Sequence, residues 1–334
     1  MEGDLKVRVG VDIGGTFTDV ALEHPGGLST CKVLTDYAAP DQAILTAITQ
    51  AAGAAGVALG DISQVIHGTT LVTNALIERR GAKLGFITTE GFRDVIEMRR
   101  ENRFEQYDLN LTLPEPLVPR ADRLTLSERM GPDGEVLLPL DPAEVAAMVE
   151  AVVARGYQAV AIGLIHAYAN DAHEVQMAQA LRSAVPGLSV SLSSVISPQM
   201  RELPRFNTVI ANAYVQPMMA EYLSRLVGRL QAAGIGAPVF MLHSGGGLIS
   251  VETAIEQPVR LLESGPAGGA IFAADYARSY GLNTAFSFDM GGTTAKICLI
   301  EDGAPKTAST FEVARTYRFK KGSGMTVSPP VVEM

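Results

Sequence analysis

The chain has 334 residues, 47% of them hydrophobic and 19% charged, which is enough apolar material for more than one packed core. Its formal net charge of −9 argues against nucleic acid or an anionic membrane as the main partner, because both repel an acidic surface. Two distant cysteines, Cys31 and Cys298, an N-terminus (MEGDLKVRV) lacking a signal peptide's apolar segment, and apolar runs short of membrane length together point to a cytoplasmic protein with neither disulfide framework nor membrane span.

Residues 7 to 13, VRVGVDI, alternate as a strand does; GGT makes a turn and TDVAL leads into a returning strand. A helix is expected over Asp41–Ala55, capped by Asp41 after Pro40. DISQVIHGTT reads as a strand ending in a polar loop, LVTNALIERRG as a helix closed by Gly81, and AKLGFITT as a buried strand. Residues 98–140, richer in Arg, Pro and Gly, read as an irregular excursion. DPAEVAAMVEAVVARG has Asp141 at the N-cap, Pro142 at the first helical position and Gly156 at the end. QAVAIGLI is a strand, NDAHEVQMAQALRSAVPG a helix and LSVSLSSV a strand, an alternation that predicts a mostly parallel sheet covered by helices. SVISPQMRELPR is a polar break and a boundary near residue 200. A long helical stretch follows from Phe206 to Ala233, with Pro217 as a kink or join. PVFMLHSGGGL is strand then glycine loop, and ESGPAGGAIFAADYARSYG a glycine loop running into a helix of small residues.

The stretch VGVDIGGTFTDVAL, Val9 to Leu22, recurs 277 residues later as FSFDMGGTTAKICL, Phe286 to Leu299. Asp12 matches Asp289, and Gly14, Gly15 and Thr16 match Gly291, Gly292 and Thr293. The apolar positions agree as well: Val9 with Phe286, Val11 with Phe288, Val20 with Ile297, Leu22 with Leu299. Glycines at such a tip let backbone N–H groups approach phosphate oxygens, and threonine hydroxyls add donors. An aspartate just before the turn can hold Mg²⁺ directly or through its waters. Two such hairpins facing one cleft would grip the phosphates of a nucleotide from both sides, and phosphoryl transfer needs chiefly that positioning and charge neutralisation. A type I′ turn alone requires neither the matched acid nor the threonine. There is no G-x-x-x-x-G-K-[ST] motif. GPAGGA lacks the G-x-G-x-x-G register, so Gly265, Ala267, Gly268 and Gly269 read better as close helix packing at a hinge between lobes.

A duplicated D-x-G-G-T hairpin with a glycine-rich crossing helix resembles the actin, Hsp70 and sugar-kinase superfamily of ATPases. From residue 6 to about 330 the chain is similar to the hydantoinase/oxoprolinase A family. The resemblance is carried by GVDIGGTFTDVAL, HGTTLVTNALIERRGAKLGFITTEGFRDVIEMRR, GEVLLPLD, RELPRFNTVIANAYVQP, SGGGLIS, LLESGPAGGA and FDMGGTTAKICLI. It implies an α/β, ribonuclease-H-like actin/Hsp70-type ATPase fold with an inserted α/β subdomain and an incomplete second lobe. An N-terminal domain over 1–200 would carry the first hairpin, and the beginning of the hydantoinase/oxoprolinase domain over 201–334 the crossing helix and second hairpin. Family chains are roughly twice as long, and the loop resembling IGAGGGS and the adenosine pocket lie beyond SPPVVEM. A fragment, or a partner chain supplying the rest, is expected. The SGGG loop at Ser244 lacks the acid or asparagine seen there in the family.

The candidate site follows. Asp12 and Asp289 are expected to position Mg²⁺, one of them also orienting a nucleophile. Gly14, Gly15, Thr16, Thr18, Gly291, Gly292, Thr293, Thr294 and Lys296 are expected around ATP, with Gly265 and Gly268 beneath them; Lys296 sits equally well on a solvent edge. His67 ends a strand, where clefts of α/β sheets form, and is expected either as a catalytic residue on the substrate side, with Thr69, Thr70 and Asn74 of the HGTT…TNA motif, or as a hydrogen-bonded structural histidine. Arg99, with Arg100 and Asn102, is either an anion site for substrate or a surface cluster, and ERR at Glu78–Arg80 is a second basic patch. His243 ends another strand before the glycine loop, while His173-Glu174 is not H-E-x-x-H, which argues against a zinc protease.

The function the resemblance implies is ATP-dependent phosphorylation of the carbonyl of a cyclic amide (hydantoin, 5-oxoproline or lactam) that permits ring-opening hydrolysis. A B-type partner subunit and homo-oligomerisation belong to that expectation. The alternatives are a ketone (acetone or acetophenone) carboxylase subunit, a small-molecule kinase, or a truncated structural or regulatory subunit.

Overall fold

The computed structural model describes residues 6–333 except 37, 102, 104, 291–294 and 318–319. In chain order the main elements are β1 (Val7–Ile13), β2 (Phe17–His24), β3 (Gly27–Leu34), α1 (Pro40–Ala55), β4 (Ile62–Thr69), α2 (Leu71–Ile77) and β5 (Leu84–Thr89). Next come β6 (Arg123–Leu126), α3 (Pro142–Arg155), β7 (Ala159–Gly163), α4 (Ala172–Ala184), β8 (Ser189–Leu192) and α5 (Glu202–Ala232). The last are β9 (Val239–Leu242), β10 (Leu248–Ser250), α6 (Ser264–Ser279), β11 (Thr284–Met290), β12 (Ala295–Glu301) and β13 (Ala304–Pro305). The chain divides into two compact units. One comprises Met1–Asn74, Met219–Ala308 and Pro330–Met334, the other Ala75–Met218 and Ser309–Pro329.

The first unit is built on a six-stranded sheet of order β10-β9-β4-β1-β2-β3. β1, β2 and β3 form an antiparallel meander, and β4 and β9 run parallel to β1. Alternation in β1 sends Val9, Val11 and Ile13 to one face, where Val20 and Leu22 of β2 join them, all at most 4% exposed. Helix α1 covers this face with Ile44, Ala47 and Ile48, each fully buried. Each large aliphatic removed from water here contributes about 1.5–3 kcal/mol. A separate three-stranded antiparallel sheet, β11-β12-β13, belongs to the same unit.

The second unit has an all-parallel sheet of order β8-β7-β5-β6. Every residue of β5 and β7 is buried, as expected of strands covered on both faces. Ile87, Val160, Ile162, Leu164, Met177 and Leu181 form its core with α3 and α4. Asp141 caps α3 by accepting the Ala143 amide at 2.9 Å, and Gly156 closes it at φ 59°.

Several expectations need correction. β3 was not foreseen: GLSTCKVL is an edge strand, half polar, and its pairing to β2 carries the signal that its composition lacks. Asp41 is not a cap; Ala39 holds that position. The Asp41 carboxylate, 1% exposed, is instead paired with Arg229 of α5. Helix α2 ends at Ile77, with the left-handed residue at Arg79 (φ 58°), so Gly81 caps nothing. A Cβ on Gly81 would lie 2.4 Å from the Tyr214 ring and 2.6 Å from its carbonyl oxygen, and close packing is its reason. The irregular stretch holds β6, paired parallel to β5, and LSVSLSSV turns into a short helix at Ser193. That turn is fixed by the buried Glu174 carboxylate, which accepts the Ser193 and Ser194 hydroxyls and the Ser194 amide. α5 runs unbroken through Pro217, and α6 begins at Ser264, so Gly265, Gly268 and Gly269 lie inside a helix rather than in a loop. Among the described residues, no helix is long and apolar enough to cross a membrane.

Candidate functional site

The two repeated stretches fold as hairpins of identical register. In the first, Val9 pairs with Leu22, Val11 with Val20 and Asp12 with Asp19. In the second, Phe286 pairs with Leu299, Phe288 with Ile297 and Asp289 with Lys296. Asp12 and Asp289 are therefore each the penultimate residue of an outgoing strand. The second tip, Gly291, Gly292, Thr293 and Thr294, lies outside the described residues.

The period of a strand puts Asp12 on the sheet face opposite Val11 and Ile13. There the end of β4 and the first turn of α6 close around its carboxylate. A Cβ on Gly68 would come within 2.9 Å of Asp12 Oδ1, and one on Gly265 within 3.0 Å. Ser264 holds this arrangement: its hydroxyl donates to the Thr69 carbonyl at 2.9 Å and accepts the Thr69 amide at 3.1 Å. Glu263 enters α6 with a left-handed backbone (φ 58°) and pairs with Lys296 of β12, tying the helix start to the second hairpin.

Asp12 stays open to solvent on one side, while the surrounding chain takes up most of the space about it, the environment of a cleft. Loss of bulk water raises its carboxyl pKa first; the charges of Asp19 and Asp289 raise it further, and Lys32 opposes them. Asp289 is thus close enough to Asp12 to repel it. The Asp12 carboxylate thus sits with glycine backbone at its wall and a surplus of negative charge about it.

The first tip is a tight turn closed by the Gly14 amide donating to the Phe17 carbonyl at 2.9 Å. That amide is not a free phosphate donor. Thr35 secures the turn by donating its hydroxyl to the Gly14 carbonyl and its amide to the Thr16 carbonyl, both at 3.0 Å. Gly15 and Thr16 are exposed at the tip. Thr18 is fully buried on the α1 side, its hydroxyl 3.2 Å from that of Thr35, and does not face a ligand.

His67 is corrected too. It is fully buried, with Nε2 2.7 Å from the Tyr222 hydroxyl, and burial lowers its pKa from 6.5 to about 4. Enclosed and neutral, the imidazole sits as a hydrogen-bonded structural histidine. Thr69 is fully buried, and its hydroxyl accepts the Leu71 amide at the start of α2. Thr70 donates to the Ile13 carbonyl at 3.1 Å, with the Asn74 amide 3.4 Å from its hydroxyl. This pair braces the end of β1 next to Asp12. Gly268 packs against Leu242, which a Cβ would approach to 2.7 Å. Lys296 is engaged by Glu263. Arg99 lies in the other compact unit.

Gly68, Ser264, Glu263 and Thr35 were missed as site-building residues. Gly68 had a signal, a glycine at the end of a buried strand. Glu263 and Ser264 stand in ESGPAGG, a stretch read for its glycines and as a carrier of the family resemblance, without roles for these two residues. Among the described residues no cluster of three His, Cys, Asp or Glu is placed to hold a metal ion. Two carboxylates suit Mg²⁺, which fills most of its octahedral shell with water and phosphate oxygens.

Comparison with known proteins gives two family matches. The hydantoinase/oxoprolinase N-terminal region matches residues 8–185, and hydantoinase/oxoprolinase matches 205–334. An uncharacterised protein of Methanocaldococcus jannaschii is 34% identical over 98% of this chain and 49% of its own length. Caprolactamase subunit alpha of Pseudomonas jessenii is 33% identical over 89% of this chain and 44% of its own. The crystal structure of the ATP-dependent caprolactamase from that species superimposes with a TM-score of 0.84 at 30% identity, covering 98% of this chain and 47% of the other. Acetone carboxylase superimposes with a TM-score of 0.85 at 22% identity over the same share of each chain, which shows the fold alone. The chain thus spans about half the length of these relatives.

Proposed function

The chain belongs to the hydantoinase/oxoprolinase family, and from that premise we propose that it binds ATP with Mg²⁺ and phosphorylates the carbonyl oxygen of a cyclic amide for ring opening. The observation that carries this reading is the pair of hairpins in one register, with Asp12 and Asp289 near enough to repel each other. That repulsion is what a divalent cation relieves.

In this reading Asp12 and Asp289 hold Mg²⁺ through a carboxylate oxygen each or through its waters. Gly68 and Gly265 leave the Asp12 carboxylate room to turn. Thr16 offers its hydroxyl to a phosphate oxygen from the exposed tip. Lys296 and Glu263 hold the start of α6 against the second hairpin. Transfer of the γ-phosphoryl group to the amide oxygen in its lactim form, with ADP leaving, makes the ring carbon electrophilic, so that water adds, the C–N bond opens with the ring nitrogen leaving as the amine, and a second water hydrolyses the resulting acyl phosphate to carboxylate and phosphate. Thr70 and Asn74 keep the end of β1 in place throughout. A partner subunit that completes the hydrolysis fits with a relative being named as a subunit.

The test is phosphate release by the purified protein with Mg²⁺ and ATP, with and without hydantoin, 5-oxoproline or ε-caprolactam. We expect amide-dependent release, reduced by about 10²-fold or more in Asp12→Asn, the scale of removing one electrostatic contact from a transition state. Equal release with and without every amide refutes the proposal. An opened ring, rather than a carboxylated product or a stable phosphoester, separates it from ketone carboxylation and from simple kinase activity.

A further inference from the structure

The second unit contains a pocket that the nucleotide reading does not use. Ile96, Arg99, Leu117, Asn207, Ile210 and Met325 are among its walls, and about 450 Å³ of space lies within it and in the open solvent at its mouth. All its described walls belong to that unit. Most are apolar, and Ile96, Ile210 and Val313 are at most 5% exposed.

Arg99 is the exception. Its Nη2 donates to the Gly324 carbonyl, while Nη1 is shielded from solvent and, among the described residues, meets no hydrogen-bond acceptor. Glu312 is the acid whose charge reaches it, but that carboxylate is already engaged. Oε1 accepts the Gly322 amide at 2.8 Å, and Oε2 accepts Arg315 Nε at 3.1 Å. Leaving a buried charged donor unpaired costs about 1–3 kcal/mol or more. A second guanidinium, Arg79, is held at the pocket wall by donating to the backbone carbonyl of Glu115, whose own side chain is exposed. Three non-glycine residues around this one pocket carry left-handed backbones: Arg79 (φ 58°), Arg99 (φ 59°) and Ala314 (φ 53°). Each such residue stores about 1 kcal/mol or more, and strain of this kind collects where a ligand is clamped.

We propose that this pocket binds a small aliphatic carboxylate, with Arg99 Nη1 donating to a carboxylate oxygen and the apolar walls covering a short hydrocarbon body. The donor set decides the class. Arg99 Nη1 supplies one unpaired donor for a single negative charge, and the mostly apolar remainder of the walls suits a hydrocarbon body better than a phosphate's further charge. A neutral amide's carbonyl oxygen could accept the same N–H, but without the charge that strengthens the bond to a carboxylate.

The experiment is calorimetric titration of the purified chain with hexanoate and with hexanamide, which share a hydrocarbon body and differ in charge. We expect saturable hexanoate binding at least about tenfold tighter than hexanamide, the effect of one charge-assisted hydrogen bond. Arg99→Met should erase the preference, and Arg99→Lys should restore part of it. Should Arg99→Met fail to fold, the wild-type chain still answers. Hexanoate, and not hexanamide, should protect Arg99 from phenylglyoxal, read by peptide mass mapping. Equal affinity for the two probes, or modification of Arg99 indifferent to hexanoate, overturns the proposal. Neither result bears on the nucleotide reading, whose assay is separate.

Discussion

Replacing Gly68 by alanine tests the cleft at its narrowest point. The new Cβ would stand 2.9 Å from Asp12 Oδ1 and 3.8 Å from Gly265 Cα. An ordinary carbon–oxygen contact needs about 3.4 Å, so one partner must yield by about 0.5 Å. Backbone at Gly265 already has room, and the yielding group is the Asp12 carboxylate, the movable end of a side chain. Gly68 has no left-handed backbone, so alanine is conformationally tolerated there and stiffens the unfolded chain, a gain of about 0.4–1 kcal/mol. Stability and activity should then move in opposite directions. Misplacing a catalytic group by about 1 Å costs on the order of 10²-fold, so half that displacement predicts about a tenfold fall in amide-dependent phosphate release. Gly10→Ala, two residues from Asp12 on the same strand, is the control, because its Cβ meets nothing nearer than the Ala21 carbonyl at 3.9 Å. The assays are phosphate release under saturating ATP and chemical denaturation of each variant. Gly68→Ala with wild-type activity, or with a large loss of stability, would refute the reasoning.

Two other predictions concern the scaffold. His67 is held neutral in the fold, with its pKa lowered by burial from 6.5 to about 4. The unfolded chain therefore binds more protons than the folded one between these values, and stability falls as pH drops through that window, by about 2–3 kcal/mol at pH 4.5. His67→Gln should lose that share of the pH dependence in denaturation curves taken at pH 7 and 4.5; an unchanged slope would show that His67 does not supply it. Gly81→Ala should lower the urea midpoint by the equivalent of about 1–3 kcal/mol, because the Tyr214 carbonyl 2.6 Å from the new Cβ is backbone and cannot swing aside. An unchanged midpoint would mean that the loop shifts at no cost.

Much of the architecture was legible in the sequence because its signals are local. The alternation in VRVGVDI, the Asp141-Pro142 start of α3 and the repeat of D-x-G-G-T each need only neighbouring residues to be read. β3 and β6 escaped because their residues, half polar in GLSTCKVL and including the buried Arg123 in RLTL, make sense only beside the strands they pair with. The histidine of HGTT misled for a similar reason. A strand end before a polar loop suggests a cleft, and nothing nearby announces Tyr222, 155 residues on, as its partner.

The sequence by itself determined the two hairpins, their common register and the family, since a period of two and a repeated motif survive without any knowledge of distant contacts. Only the tertiary structure decided which of the repeated groups stay exposed and which are enclosed. A strand shows a side chain to one face or the other, but whether that face meets water, a helix or a second acid depends on what packs there. Asp12 and Thr18 sit on the same hairpin; the start of α6 frames the first in an open cleft, and the α1 side encloses the second.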